Sequence, residues 1–161
     1  MTMLPITLTI AGAAALLNIW IAGRVGQLRR RHRISIGDGG NEALAARMRA
    51  HSNFVEYVPF FLILLGLVEL ASESSPVWLW VVAILFILGR ILHVFGMDRK
   101  GANPLRMAGI ALTLLTLLGL ALYAIAIPYL EGGRRSGITY AEAGRALAST
   151  ASATNGFDLR S

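Results

Sequence analysis

The chain has 161 residues, of which 55% are hydrophobic and only 15% are charged, well below the quarter that is usual in a soluble domain. Its net charge is +6, and it contains no cysteine, which excludes disulfides, thiolate metal sites and a cysteine nucleophile. The three histidines are too few and too scattered for a metal cluster, so no metal site is predicted.

Four apolar segments are long enough to cross a bilayer, which needs about 20 apolar residues. The sequence therefore predicts an all-α protein, a four-helix transmembrane bundle formed by residues 1–130. The predicted helices cover about residues 4–28, 42–72, 76–96 and 104–130. The first segment does not resemble a cleavable signal peptide, because its basic cluster follows the apolar stretch instead of preceding it. The second half of the second segment reads as purely apolar.

The positive charge is concentrated in the connections between these segments. Eleven of the fifteen basic residues lie in residues 24–49 and 90–106. Because basic connections stay in the cytoplasm, we expect a multi-pass protein of the inner membrane with both termini on the periplasmic side. This distribution indicates contact with anionic lipid in the bilayer and argues against a nucleic-acid partner.

Residues 131–161 are small, polar and poorly patterned. We expect them to form a loosely ordered C-terminal tail. The alternative is a short helix from Thr139 to Ser149, because Glu142 follows Thr139 at the spacing of a weak capping box.

Six polar residues lie within or beside the apolar segments, although an Arg or Asp at the centre of a membrane helix costs about 2.5–3.5 kcal/mol. They are Arg49, Asn53, Glu56, Arg90, His93 and Arg106. Helical spacing puts the first three on one face of the second helix, and Arg90 and His93 on one face of the third. All six belong to the cytoplasmic ends of their helices, so they could meet at one depth. Their excess of positive charge predicts an anionic ligand.

A structural interpretation of the same residues stays open. Glu56 could pair with Arg90 or Arg49 and lock the helices together, while Arg24 and Arg49 could extend towards lipid head groups. His51 is expected to be an interfacial residue without a specific role.

The string RAHSNFVEYVP, from Arg49 to Pro59, resembles the helix-two signature of the MAPEG family (membrane-associated proteins in eicosanoid and glutathione metabolism). The similarity extends through GRILH, residues 89–93, to Arg106. The GDGG loop at residues 37–40 is most similar to the bacterial branch of that family. The resemblance covers about residues 19–130.

This resemblance implies a homotrimer that binds glutathione as a co-substrate between neighbouring subunits, in a cavity open towards the cytoplasm. By motif, Arg49, Asn53 and Glu56 correspond to helix-two residues that hold glutathione. Arg90 and His93 correspond to its helix-three contacts.

Two further arginines receive roles from the resemblance. Arg106 corresponds to the catalytic arginine that stabilises the glutathione thiolate. Arg29 corresponds to a helix-one arginine that the adjacent subunit contributes to the glutathione site.

The chain also departs from the family pattern. Met97 stands where glutathione-binding members often have a tyrosine, and Met107 where a hydroxyl sometimes follows the helix-four arginine. Both departures argue against a specialised eicosanoid synthase. The expected function is a glutathione transferase or peroxidase acting on lipophilic electrophiles or lipid hydroperoxides that enter from the bilayer. The alternative is a non-catalytic trimeric membrane protein that binds a lipid or another anion in the same cleft.

Overall fold

The structure is a computed structural model that describes residues 3–72, 76–99, 101 and 103–157. These residues form four helices and no strand: α1 Pro5–His32, α2 Glu42–Ala71, α3 Val77–Met97 and α4 Pro104–Phe157. Each helix contains a stretch that is long and apolar enough to cross a membrane, and in α4 this stretch is Pro104–Leu130. The predicted all-α fold with four membrane-spanning helices is confirmed.

Local chemistry explains where α1 begins and ends and where α2 begins. Pro5 stands in the first turn of α1, where its missing N–H costs no hydrogen bond. The side chain of Asn41 caps α2 by accepting a hydrogen bond from a backbone N–H three residues later. α1 continues to His32, past its predicted end at Leu28, because basic residues in a last turn interact favourably with the helix carbonyls. Arg33 ends it in the left-handed conformation.

The chain divides into two units, Met1–Ala124 and Ile125–Ser161. In the second unit the described backbone is helical as far as Phe157, whereas the sequence predicted a fourth helix ending near Leu130. Alanine is the strongest helix former, and it recurs between residues 141 and 153. That residues 131–161 form a loosely ordered tail stays a prediction.

Contacts at the two ends of the first unit show that α2 runs antiparallel to α1 and that α3 runs parallel to α1. At one end, Glu69 near the end of α2 is hydrogen-bonded to Ile6 at the start of α1. At the opposite end, Asp98, directly after α3, is hydrogen-bonded to Arg24 of α1. We call this second end, which carries the α1–α2 and α3–α4 connections, the basic end.

α3 and α4 approach each other closely at glycine residues. A Cβ atom on Gly96 would lie 2.5 Å from the backbone nitrogen of Arg106, and one on Gly109 would lie 2.5 Å from that of His93. Small residues allow this approach between membrane helices. The contact holds His93 and the backbone of Arg106 next to each other, at the basic end of the α3–α4 pair.

The surface of the first unit is strongly apolar. Leu16, Phe60 and Leu115 are 72%, 65% and 66% exposed. An apolar surface of this kind marks contact with lipid or with other protein. The interior is held by aromatic packing, such as the parallel stack of Phe61 on Phe86 with ring centroids 3.7 Å apart.

Candidate functional site

A buried hydrogen bond joins α2 to α3 at the inner part of the candidate site. Arg90 is only 1% exposed, and its Nη2 donates to Oδ1 of Asn53 at 2.9 Å. Its guanidinium carbon lies 5.8 Å from the centroid of the Tyr57 ring. Among the described residues, Nε and Nη1 of Arg90 have no hydrogen-bond partner. Burying a charge whose donors are not all paired is costly, so these two nitrogens are donors suited to an anionic ligand.

A cavity of about 80 Å³ lies beside this guanidinium, between α2, α3 and α4. Asn53, Tyr57, Arg90 and Thr113 are its polar lining residues. The hydroxyl of Thr113 donates a hydrogen bond to the carbonyl oxygen of Gly109 at 2.8 Å. The cavity is large enough for one small polar group and too small for a tripeptide.

A second, larger cavity of about 520 Å³ opens at the basic end. Residues from the ends of all four helices line it, including Arg47, Met97, Arg99 and Arg106. Arg106 lies beside Gly96, which is six residues after Arg90 on α3 and therefore about 9 Å further along the helix axis. Within one subunit, the backbone positions of Arg90 and Arg106 therefore differ in depth by about 9 Å, whereas their topology allowed all six residues to meet at one depth.

Arg49 and Glu56 form an ion pair on the outer surface of α2. Arg49 Nη1 lies 3.7 Å from Glu56 Oε1, and the two side chains are 67% and 46% exposed. Ser52 Oγ donates to the same carboxylate oxygen at 2.9 Å. Of the two partners considered for Glu56, the structure pairs it with Arg49. Because an exposed pair contributes about 0–1 kcal/mol in water, this contact is a weak structural link.

His93 lies next to the backbone of Arg106, whereas Arg29 lies apart from the other predicted site residues. His93 is 3% exposed and sits against the backbone of α4, and its Nδ1 has no hydrogen-bond partner among the described residues. Arg29 Nη1 donates to the carbonyl oxygen of Ser35 at 3.2 Å, and its Nη2 lies 3.3 Å from Met48 Sδ. Within one subunit, Arg29 therefore contacts its own α1–α2 connection and α2.

The sequence interpretation missed a charged cluster at the basic end, beside the larger cavity. Asp98 accepts hydrogen bonds from Arg24 of α1 and from Nε of Arg47 of α2, the latter at 3.3 Å. Arg47 Nη1 also donates to the carbonyl oxygen of Arg24, at 3.1 Å. Extension of Arg24 towards lipid head groups was one of the open alternatives, but Arg24 packs over the Trp20 ring and pairs with Asp98. The sequence contains an indication of this cluster, because Asp98 is the single acidic residue in the basic connection between α3 and α4.

Two other polar contacts correct the sequence interpretation. The second half of α2 is not purely apolar, since the carboxylate of Glu69, 3% exposed, accepts hydrogen bonds from the start of α1. His51, expected to have no specific role, lies with Nε2 2.9 Å from Oδ1 of Asn18. Both contacts join α1 to α2.

Comparison with known proteins gives the family of the chain. The chain is 31% identical over 88 residues to the inner membrane protein YecN of Escherichia coli K12, and equally to the protein of the same name from Escherichia coli O6:H1. The match covers 54% of this chain and 66% of those relatives, so it spans slightly less than two thirds of their length. The sequence model of the MAPEG family matches residues 7–126, most of the chain. Together with its four membrane-spanning helices, this match identifies the chain as a membrane protein of the MAPEG family.

Proposed function

We propose that the protein is a homotrimer of the inner membrane that binds glutathione and either conjugates it to lipophilic electrophiles or uses it to reduce lipid hydroperoxides. The inner-membrane location is supported by the name of the Escherichia coli relatives. The distribution of basic residues supports an orientation with both termini in the periplasm and the basic end in the cytoplasm. The larger cavity, at the basic end, then opens on the side where the tripeptide is available.

The buried guanidinium of Arg90 is the observation that carries this proposal. Two of its nitrogens, Nε and Nη1, have no hydrogen-bond partner among the described residues, and a small cavity lies beside the guanidinium. A carboxylate matches the planar, forked donor geometry of a guanidinium and would compensate its buried charge. One carboxylate of glutathione is a suitable size for a cavity of about 80 Å³.

The exposed pair on α2 suits a ligand shared between subunits. Arg49 and Glu56 lie on the outside of one subunit, where a neighbouring subunit can cover them. Glutathione is zwitterionic, so its second carboxylate would meet Arg49 and its ammonium group would meet Glu56. Arg29 of the adjacent subunit would complete the site, and His93 would border it. Pairing both signs of charge offsets the cost of burying them.

Arg106 has the chemistry needed to activate a thiol. A thiol with a pKa of about 8.5 is mostly protonated at neutral pH, and a nearby fixed cation favours its thiolate form. Arginine keeps its proton in proteins and is therefore a constant source of positive charge. Glutathione would supply the nucleophilic thiolate, and Arg106, exposed in the wall of the larger cavity, would stabilise its charge. Met97 in the same wall offers no hydroxyl, so this stabilisation rests on the arginine.

The test is a titration of the detergent-purified protein with glutathione. Calorimetry measures binding, and ultraviolet absorbance detects the thiolate. We expect the wild type to bind and to show the thiolate signal. Arg106→Gln should bind glutathione but lose that signal, whereas Arg90→Met should lose binding. Arg30→Gln, at an exposed position of the same basic end, is the matched control and should behave as the wild type.

Three results would contradict parts of the proposal in different ways. Absence of a thiolate signal, together with equal binding by the wild type and Arg106→Gln, would remove the enzymatic function and leave a binding protein. If Glu56→Gln dissociates the trimer without changing glutathione affinity, Glu56 is structural. Binding of an anionic lipid with no binding of glutathione would favour the non-catalytic alternative.

A further inference from the structure

A separate pocket of about 460 Å³ opens at the basic end, where α1 passes into the α1–α2 connection. Of the described residues, three arginines and no acidic residue line it, and we call it the arginine pocket. Its lining residues are Gly26, Arg29, Arg30, Arg33, Ile34 and Ser35. None of them lines the larger cavity. The first acidic residue of the chain is Asp38, whose Oδ1 accepts a hydrogen bond from the backbone N–H of Gly40 at 3.0 Å.

The end of α1 gives the arginine pocket a defined shape. Arg33 adopts the left-handed conformation, with φ of 55°, and its N–H donates to the carbonyl oxygen of Arg30 at 3.4 Å. The N–H of Ile34 donates to the carbonyl oxygen of Arg29 at 3.0 Å. This pairing is the Schellman motif, which satisfies carbonyl groups at the end of a helix. Ile34 packs on Gly39, where a Cβ atom would lie 2.9 Å from Ile34 Cδ1. Hydrogen bonds and packing therefore form this pocket.

The three arginines of the pocket differ in their contacts. Arg29 is held by the carbonyl oxygen of Ser35 and by Met48 Sδ. Arg30 and Arg33 are exposed, and within the part of the chain that the structure describes their guanidinium groups have no hydrogen-bond or ion-pair partner. A guanidinium group can donate two parallel hydrogen bonds to a phosphate group. Arg30 and Arg33 are thus available donors for a phosphate at the membrane surface.

Two exposed apolar side chains distinguish between sources of that phosphate. Ile36 is 89% exposed and directly follows the lining residue Ser35. Ile19 is 68% exposed and stands seven residues before Gly26, on the face of α1 that carries the arginine pocket. A soluble phosphate ion would leave both side chains uncovered, whereas the acyl chains of a phospholipid would cover them. The arrangement therefore favours a phospholipid.

We propose that the arginine pocket binds the phosphate head group of an anionic phospholipid of the surrounding bilayer. Arg30 and Arg33 bind the phosphate, and Ile36 lies among the acyl chains. A zwitterionic head group fits less well, because the described lining offers no acidic group to pair with a choline or an ammonium. Arg30, Arg33 and Ile36 have no role in the proposed glutathione site, so this site stands or fails separately from the function proposed above.

The experiment is native mass spectrometry of the full chain in detergent, titrated with dioleoyl phosphatidylglycerol or with dioleoyl phosphatidylcholine. The wild type should bind the anionic lipid at least severalfold more tightly. Arg33→Gln should lower the affinity for phosphatidylglycerol about fivefold, the effect of one basic residue at an anionic membrane surface. The matched control Arg31→Gln removes the same charge from an exposed neighbour outside the pocket, and its effect should be much smaller.

A third variant tests the source of the phosphate. Ile36→Ser should weaken binding of phosphatidylglycerol, and inorganic phosphate should compete with the lipid only weakly. The proposal would be overturned if inorganic phosphate displaces the lipid readily and Ile36→Ser has no effect, because the pocket would then bind a soluble phosphate. Equal losses in Arg33→Gln and Arg31→Gln would overturn it as well, since the arginines would then attract lipid only through their summed charge. Equal affinity of the wild type for the two lipids would have the same consequence.

Discussion

Glu69 and Thr7 are joined by two hydrogen bonds: Oε2 of Glu69 accepts from the backbone N–H of Thr7 at 2.8 Å and from its Oγ1 at 2.7 Å. The other carboxylate oxygen accepts from the backbone N–H of Ile6 at 2.9 Å. A helix N-terminus carries partial positive charge and unpaired N–H groups. The first turn of α1 therefore supplies the hydrogen-bond donors for the Glu69 carboxylate, which α2 places in an apolar part of the bundle.

We expect Glu69→Leu to lower the free energy of unfolding by about 2–4 kcal/mol, because it leaves several buried donors without acceptors. Thr7→Val removes only the hydroxyl donor and should cost about 1 kcal/mol. Reversible unfolding in mixed detergent micelles measures both values. A Glu69→Leu variant as stable as the wild type would show that the carboxylate does not hold α1 to α2.

Arg90 and Asn53 should respond differently to substitution. Arg90→Met removes a buried charge and fills similar volume, so stability should be unchanged or higher. Asn53→Leu removes the hydrogen-bond partner of Nη2 and leaves the charge, so it should lower stability by about 1–3 kcal/mol. The double variant should recover most of that loss.

Thermal unfolding of the three proteins in the same detergent tests this order. If Arg90→Met is the least stable of them, the guanidinium stabilises the fold. Arg90 would then no longer support an anion site.

Asp98→Asn should weaken the attachment of α3 to α1 and α2 at the basic end. Because its partners Arg24 and Arg47 are partly exposed, we expect a loss of about 1 kcal/mol, and not the larger loss of a buried pair. Salt screens partly exposed charges, so the difference in melting temperature between wild type and variant should shrink as sodium chloride is added. A difference independent of salt would indicate that the contact is not electrostatic.

Gly109→Ala should force α3 and α4 apart. The added methyl group would lie 2.5 Å from the backbone nitrogen of His93, which cannot move aside as a flexible side chain would. Overpacking of this kind costs about 1–3 kcal/mol. The matched control is Gly119→Ala on the same helix, where no atom beyond the local helix backbone lies within 4 Å of the new Cβ. This control should be neutral or slightly stabilising, since alanine favours helix over glycine, and equal losses in both variants would contradict the packing argument.

The sequence by itself determined the four membrane-spanning helices, because a bilayer requires long apolar segments whose backbone groups are paired internally. It also identified six of the polar residues in or beside those segments, although it took the second half of α2, which holds Glu69, as purely apolar. Helical spacing predicted that Arg49 and Glu56 share a face of α2, and the structure pairs them at 3.7 Å. These properties depend on residues close together in the chain.

Only the tertiary structure decided which polar groups meet across helices. Residue spacing along α3 cannot show that Arg90 is hydrogen-bonded to Asn53. It also cannot show that Asp98 accepts hydrogen bonds from arginines of α1 and α2. It also cannot show that Arg106 lies about 9 Å from the depth of Arg90. The rotation of each helix and its depth relative to its neighbours depend on close packing, here at Gly96 and Gly109, and these contacts join residues remote in the sequence.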